Sequence, residues 1–201
     1  MGCILSAASC NKWLMENVLH TSDYAAEQAN IGENRLGENH VFFLPYLMGE
    51  RSPINDTDAR GTFIGMTMDT TRADLVQAVL EGVAFALRDC LEAAKQTGVS
   101  VACSKLCGGG AASILWRKIL ANVLNITLEI PTCEHGPSMG GAMLAMVACG
   151  EYPDVQAVCR QMDSVAEQVV PEPELVARYE KKYQQFRHIY PACRELFMKL
   201  K

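Results

Sequence analysis

Apolar positions in this chain fall into two rhythms that alternate along most of its length. From about Arg72 to Thr97, Leu75, Val79, Val83, Ala86, Cys90 and Ala93 recur three to four residues apart, the repeat of one face of an α-helix. Thr71 and Asp74 have the spacing of a capping box at its start, and Gly98 is a natural stop. Ala78, Gly82 and Ala86 are small enough to let another element approach closely. Glu81 sits in the middle of this mostly apolar helix, where an outward-facing salt bridge is an uncomfortable reading. Leu175, Tyr179, Tyr183, Phe186 and Tyr190 mark a second, amphipathic helix from Glu174 to Lys201, which Pro191 kinks or restarts. Shorter helices are predicted after Ser6-Ala-Ala-Ser9, carrying Trp13, Leu14 and Val18, and over 113–124, 138–148 and 155–162.

The extended rhythm is shorter. Val41–Leu47, Gly61–Thr67, Val99–Cys107 and Asn125–Ile130 read as strands, the last stopped by Pro131. Gly2–Leu5 reads as the end of a strand, and a chain opening on a half-strand is expected to be a cut piece of a longer protein. Residues 20–40 are polar and predict a helix fading into a loop, with His20 and His40 solvated. In the loop after Leu47, Glu50, Arg51, Asp56, Asp58 and Arg60 are expected to pair internally and hold it rigid. Met139, Met143 and Met146 are expected to fill core. Strands alternating with helices place the chain in the α/β class.

Composition narrows the function classes. With 201 residues, 49% of them hydrophobic, the chain can bury a proper core. A net charge of -5 argues against a nucleic-acid surface. No apolar run reaches the roughly 18 residues of a membrane span, and the N-terminus lacks a basic signal-peptide region. Nine scattered cysteines, among them Cys90, Cys149 and Cys159 in apolar settings, fit a reducing, cytoplasmic protein. Cys103, Cys107, Cys133 and His135 lie near one another in the sequence, but their spacing is poor for zinc.

The most informative stretch is Gly108-Gly-Gly110, set between a predicted strand and the helix that Ser113 starts. Such a turn lets backbone approach a flat ring or a phosphate, and its free N–H groups favour an anion. It is not a Walker loop, because Ala111-Ala112-Ser113 stands where Lys and Ser/Thr are needed. It half-matches a dinucleotide fingerprint, with Ser113 in the last place and Glu129 near the distance of a ribose-binding acid, so an NAD-binding reading stays open. A plain strand-to-helix turn is the structural alternative.

Several stretches together resemble the C-terminal part of the FGGY carbohydrate kinases, and within them the xylulokinases. Gly61-Thr-Phe-Ile-Gly-Met66, seven residues, then Asp74-Leu-Val-Gln-Ala-Val-Leu-Glu81 is similar to the second FGGY signature. Phe43–Pro53 and Leu5–Trp13 resemble xylulokinase segments, and Leu106–Ala111 with Trp116-Arg117 resembles the family's adenine-binding turn. Gly136–Ala142 and the Tyr179 to Pro191 pattern complete the likeness. The resemblance implies an actin-like, ribonuclease-H-like ATPase domain, a mixed sheet flanked by helices with its first strands missing. It implies ATP and Mg²⁺ as cofactors of the full-length enzyme, and phosphoryl transfer to a sugar hydroxyl, D-xylulose first. Ribulose, gluconate or glycerol as acceptor, or a non-catalytic nucleotide-binding module of the same fold, are the alternatives.

By that resemblance Gly109, Gly110 and Ala111 would lie against the adenine. Ile114 takes the helix position that is often Asn in glycerol kinases, so it offers no base hydrogen bond. Ala7 and Asn11 fall near another nucleotide-contacting segment of the family. The whole chain is expected to be part of one C-terminal domain. The family's first signature, its catalytic aspartate, most of its sugar pocket and its Gly-Thr-Ser phosphate turn have no counterpart here. Asp56, Asp58 and Asp69 lie elsewhere in the fold and cannot fill the base's role. The chain alone is therefore expected to be inactive, to partner an N-terminal kinase domain, and to expose apolar surface through which it could pair as a homodimer.

Overall fold

The computed structural model describes residues 2–132, 136–162 and 164–200. In chain order the elements are α1 (Ala8–Trp13, continued by a π-helical turn Leu14–Val18), α2 (Tyr24–Ala29), β1 (Phe42–Leu44), β2 (Thr62–Ile64) and α3 (Arg72–Gln96). They continue with β3 (Cys103–Lys105), α4 (Ile114–Leu124), β4 (Thr127–Pro131), α5 (Gly136–Ala148), α6 (Val155–Met162), β5 (Val165–Val169) and α7 (Pro173–Lys199). The α/β alternation is as the sequence predicts.

α3 is the axis of the molecule. Thr71 and Asp74 cap it reciprocally: the Thr71 hydroxyl accepts from the Asp74 amide, and the Asp74 carboxylate accepts from the Thr71 amide. From Val76 to Ala86 every residue is buried, packed by β1, α4 and α1. A Cβ added to Gly82 would fall well inside contact distance of the Phe43 carbonyl oxygen, so β1 crosses α3 where only glycine fits. Phe85 gathers Tyr179, Tyr183 and Phe186 of α7 at centroid separations of 6.2, 6.0 and 5.2 Å.

Glu81 faces inward. It is 1% exposed and pairs with Lys182 of α7. Its Oε1 also accepts from Gln77 Nε2 (2.8 Å), Tyr179 Oη (3.1 Å) and the Gly37 amide (3.2 Å). Both charges are thus buried, paired and hydrogen-bonded, the condition under which a core tolerates them. The Tyr179 hydroxyl is held well above its ordinary pKa by burial and by this carboxylate.

Two small sheets form. β1 and β2 pair antiparallel, with Phe43 opposite Phe63. β3, β4 and β5 form the second in that order, β3 parallel to β4 across α4, and β5 antiparallel to β4. β5 was not foreseen from the sequence. Its residues are exposed except half-buried Val169, so its hydrophobic alternation is weak, and pairing with β4 decides its conformation. Only Cys103–Lys105 of the 99–107 run forms strand, all of it exposed. Gly2–Leu5 is not a strand; the Leu5 amide donates to Glu50, and Cys3 accepts from the Ser52 amide. α7 continues through Pro191, where the proline and Arg187, whose carbonyl loses its helical donor, face solvent.

In the 48–60 loop the polar groups bind largely to main chain. Glu50 accepts from the Leu5 and Arg51 amides, Asp56 from the Asp58 amide and the Tyr190 hydroxyl, and Arg60 donates to the Thr57 and Ala59 carbonyls. Burial raises the Glu50 carboxyl above its usual range. The thiol of Cys10, buried beside it, is pushed up to about 12. The methionine expectation fails: α5 carries no buried residue, so Met139, Met143 and Met146 do not fill the core. Cys149 is exposed rather than apolar-packed. His20 and His40 are exposed as expected. Cys133 and His135 lie outside the described residues.

Candidate functional site at the glycine turn

After β3 the chain turns at Gly108, whose φ of +88° suits glycine, and winds into a 3₁₀ turn over Gly109–Ala112. Ser113 then caps α4, its Oγ accepting from the Trp116 amide at 3.0 Å. The Ser113 hydroxyl donates to Gln28 Oε1 of α2, which joins the turn to the N-terminal helices. Trp116 is fixed by its indole N–H on the Leu80 carbonyl at 3.1 Å. A Cβ on Gly110 would lie 2.9 Å from the Trp116 ring, so the turn rests on the indole through a bare glycine. Arg117 holds the turn from behind. Its Nε donates to the Ala111 carbonyl and its Nη1 reaches Glu167 of β5 at 2.6 Å.

A cavity of about 650 Å³ opens between this turn and the N-terminal helices. Gly109, Gly110, Ala112, Ser113 and Trp116 form one wall; Ala8, Ser9, Asn11 and Lys12 of α1, with Tyr24, Ala25 and Gln28 of α2, form the other. A second cavity of about 480 Å³ lies on the far side of the turn, against Leu106, Ile130 and Arg117. Asn11 is 5% exposed and its Oδ1 has no partner. Apolar walls with a few polar handles suit a flat heteroaromatic ring.

Of the residues singled out from the sequence, Gly109, Gly110 and Asn11 line the first cavity together. Ala111 is buried and lines the second. Ile114 is 75% exposed and lies outside the lining. Ala7 precedes the lining residue Ala8 by one position. Lys12, Tyr24 and Gln28 were missed, and Trp116 was named beside the turn but not as a lining residue. Ala8, Asn11 and Lys12 stand at i, i+3 and i+4, the spacing that would have marked one face of α1.

The dinucleotide reading does not survive the topology. Among the described residues β3-α4-β4 is the one parallel unit, and β5 turns back antiparallel. Glu129 accepts from Gln168 across the sheet and does not line the cavity.

Residues 1–149 match the FGGY family of carbohydrate kinases, C-terminal domain. The chain belongs to the FGGY family. It is 31% identical over 196 residues to the xylulose kinase of Staphylococcus epidermidis, covering 98% of this chain and 40% of that protein. With the xylulose kinase of Escherichia coli K12 it shares 34% identity over 191 residues, 94% of this chain and 39% of the relative. A crystal structure described as a xyloylose kinase from Brucella ovis superposes with a TM-score of 0.88 at 36% identity, over 98% of this chain and 40% of that one. The FGGY fold is thus the actin-like α/β architecture expected from the motifs. The chain spans about 40% of the length of these relatives.

Proposed function

We propose that this chain supplies the nucleotide side of a sugar kinase that transfers the γ-phosphoryl group of ATP to a sugar hydroxyl, D-xylulose first among the acceptors. The observation that carries this reading is the cavity between the bare Gly109-Gly110 turn and the α1 face bearing Asn11. Its size and flat apolar walls suit an adenine ring, with Gly109 and Gly110 against one face. Asn11 and the neighbourhood of Ala7 form the opposite wall, Ala111 and Arg117 fix the turn, and Ile114 contributes no base hydrogen bond. The relatives' names favour xylulose as the acceptor.

In this reading the sugar pocket and the general base belong to a part of the kinase outside these 201 residues. Among the described residues no three or more of His, Cys, Asp and Glu come together to hold a metal. Magnesium enters with the nucleotide phosphates. The described cysteines are free thiols and no described helix is long and apolar enough to cross a membrane, which suits work in the cytoplasm. The whole chain acts as part of one C-terminal domain, and its exposed apolar surface meets the other kinase domain or a second copy.

The test is calorimetric titration of this chain with ADP and, separately, with NAD, each with Mg²⁺ present. ADP binding without a response to NAD supports the reading, and justifies assaying xylulose, ribulose, gluconate and glycerol in a protein that includes the sugar domain. Silence toward ADP, or binding of NAD alone, overturns it.

A further inference from the structure

The 650 Å³ cavity has a mouth and a floor. Ala8, Ser9 and Lys12 of α1 are exposed at its rim, whereas Asn11 and Trp116 are the buried residues of its lining. The Trp116 indole N–H is already engaged by the Leu80 carbonyl, which leaves the Asn11 carboxamide as the polar group of the floor. Three asparagines are buried among the described residues, and two of them are satisfied at both ends. Asn39 donates from Nδ2 to the Asp74 carbonyl at 2.8 Å and accepts at Oδ1 from the Val41 amide at 3.0 Å. Asn122 donates to the Lys118 carbonyl at 2.8 Å and accepts from the Glu172 amide at 2.7 Å. Asn11 differs: its Oδ1 has no partner, and it is the one of the three that lines this cavity. A buried amide oxygen left unpaired is destabilising, and here the cavity is the route by which a partner can arrive.

The unmet group is an acceptor, so the missing partner is a donor. A purine that enters between the turn and α1 leads with the edge farthest from its sugar, because ribose and phosphates need the open mouth. That edge carries C6, which bears an amine in adenine and a carbonyl oxygen in hypoxanthine and guanine. We propose that Asn11 is the base-selecting residue of this site, its Oδ1 accepting from the C6 amine of adenine. The inference rests on the nucleotide reading of the cavity and adds which residue chooses the base. The last torsion of an asparagine is soft, so the carboxamide turns its oxygen to the arriving amine without moving α1. A C6 carbonyl can draw only the Nδ2 end, and Oδ1 then stays buried and unpaired as in the free protein. Adenine is thus favoured by the one hydrogen bond it completes, about tenfold in affinity.

The test is calorimetric titration of the 201-residue chain with ADP, inosine diphosphate and purine riboside diphosphate, each with Mg²⁺ present. The last two carry a carbonyl oxygen and a hydrogen at C6 in place of the amine. The expected result is that ADP binds about tenfold more tightly than either analogue. Asn11→Leu, close in volume but without the acceptor, should bring ADP down to the analogues' affinity and leave theirs unchanged. A general loss of packing would instead weaken all three alike. ADP bound no more tightly than inosine diphosphate by the unaltered chain overturns the role of Asn11, leaves the nucleotide reading of the cavity standing, and needs no variant to fold. A variant that still prefers ADP overturns that role too. Binding of none of the three overturns both.

Discussion

The two halves of this molecule are built to different standards. In the first, α1, β1, α3, α4 and α7 enclose a continuous core in which α3 is buried from Val76 to Ala86, and even a carboxylate and an ammonium are sealed inside with full partners. In the second, β3 is wholly exposed, β5 nearly so, α5 buries nothing and α6 buries only Val158. Yet α5 is richer in apolar residues than α7, whose Tyr179, Tyr183 and Phe186 are packed. Burial here follows what each element is given to pack against, and apolar composition alone does not predict it. The candidate nucleotide cavity sits at the border, with Trp116 anchored in the dense half and Arg117 tied to β5 of the open half.

The largest expected effect lies in the dense half. Lys182→Met leaves Glu81 buried without its counter-ion, and should lower unfolding free energy by about 3–5 kcal/mol in a urea titration. Adding Glu81→Leu should restore most of that loss; a double variant as unstable as the single one would break the view that the pair is a self-contained unit. Next comes Gly82→Ala, which drives a methyl into the Phe43 carbonyl and should cost about 1–3 kcal/mol by the same measurement.

Asp74 gives a smaller, pH-dependent effect. Burial pushes its carboxyl up, but the Thr71 hydroxyl and amide and the Arg35 guanidinium outweigh that and hold it below the ordinary value of 3.8. The folded pKa is below the unfolded one, so the stabilisation is present above the unfolded value and is lost as pH falls through the folded one. Asp74→Asn should therefore cost about 1 kcal/mol near neutrality and progressively less below about pH 4, read from unfolding curves across that range. In the open half, Leu144→Ser should change stability by no more than about 0.5 kcal/mol, since Leu144 is 59% exposed. A loss above about 1 kcal/mol would show that α5 is covered in solution and would erase the contrast between the halves.

What was legible in the sequence follows the same division. α3, its capping box and the α4 cap at Ser113 were readable because local chemistry and tertiary packing agree there. The oddity of Glu81 was visible as a charge in an apolar helix, but its partner Lys182 lies on α7 and no local pattern links them. β5 and the short β3 were misjudged because their conformation comes from pairing with β4 rather than from their own alternation. The methionines of α5 looked like core because composition says nothing of what lies opposite. At the site, the glycine turn was legible from three consecutive glycines. On the α1 side Asn11 lines the cavity and Ala7 stands one position before Ala8, which does, and Trp116 as the floor beneath Gly110 needed coordinates.

The central claim, that the glycine turn and α1 form the two walls of one adenine site, is tested most directly by amide hydrogen exchange of this chain with and without saturating ADP and Mg²⁺. The account predicts added protection in Gly109–Trp116 and Ala8–Lys12 together, with Cys103–Lys105 and α5 unchanged. Protection confined to one of the two segments, or appearing in α5 and α6 instead, would contradict it.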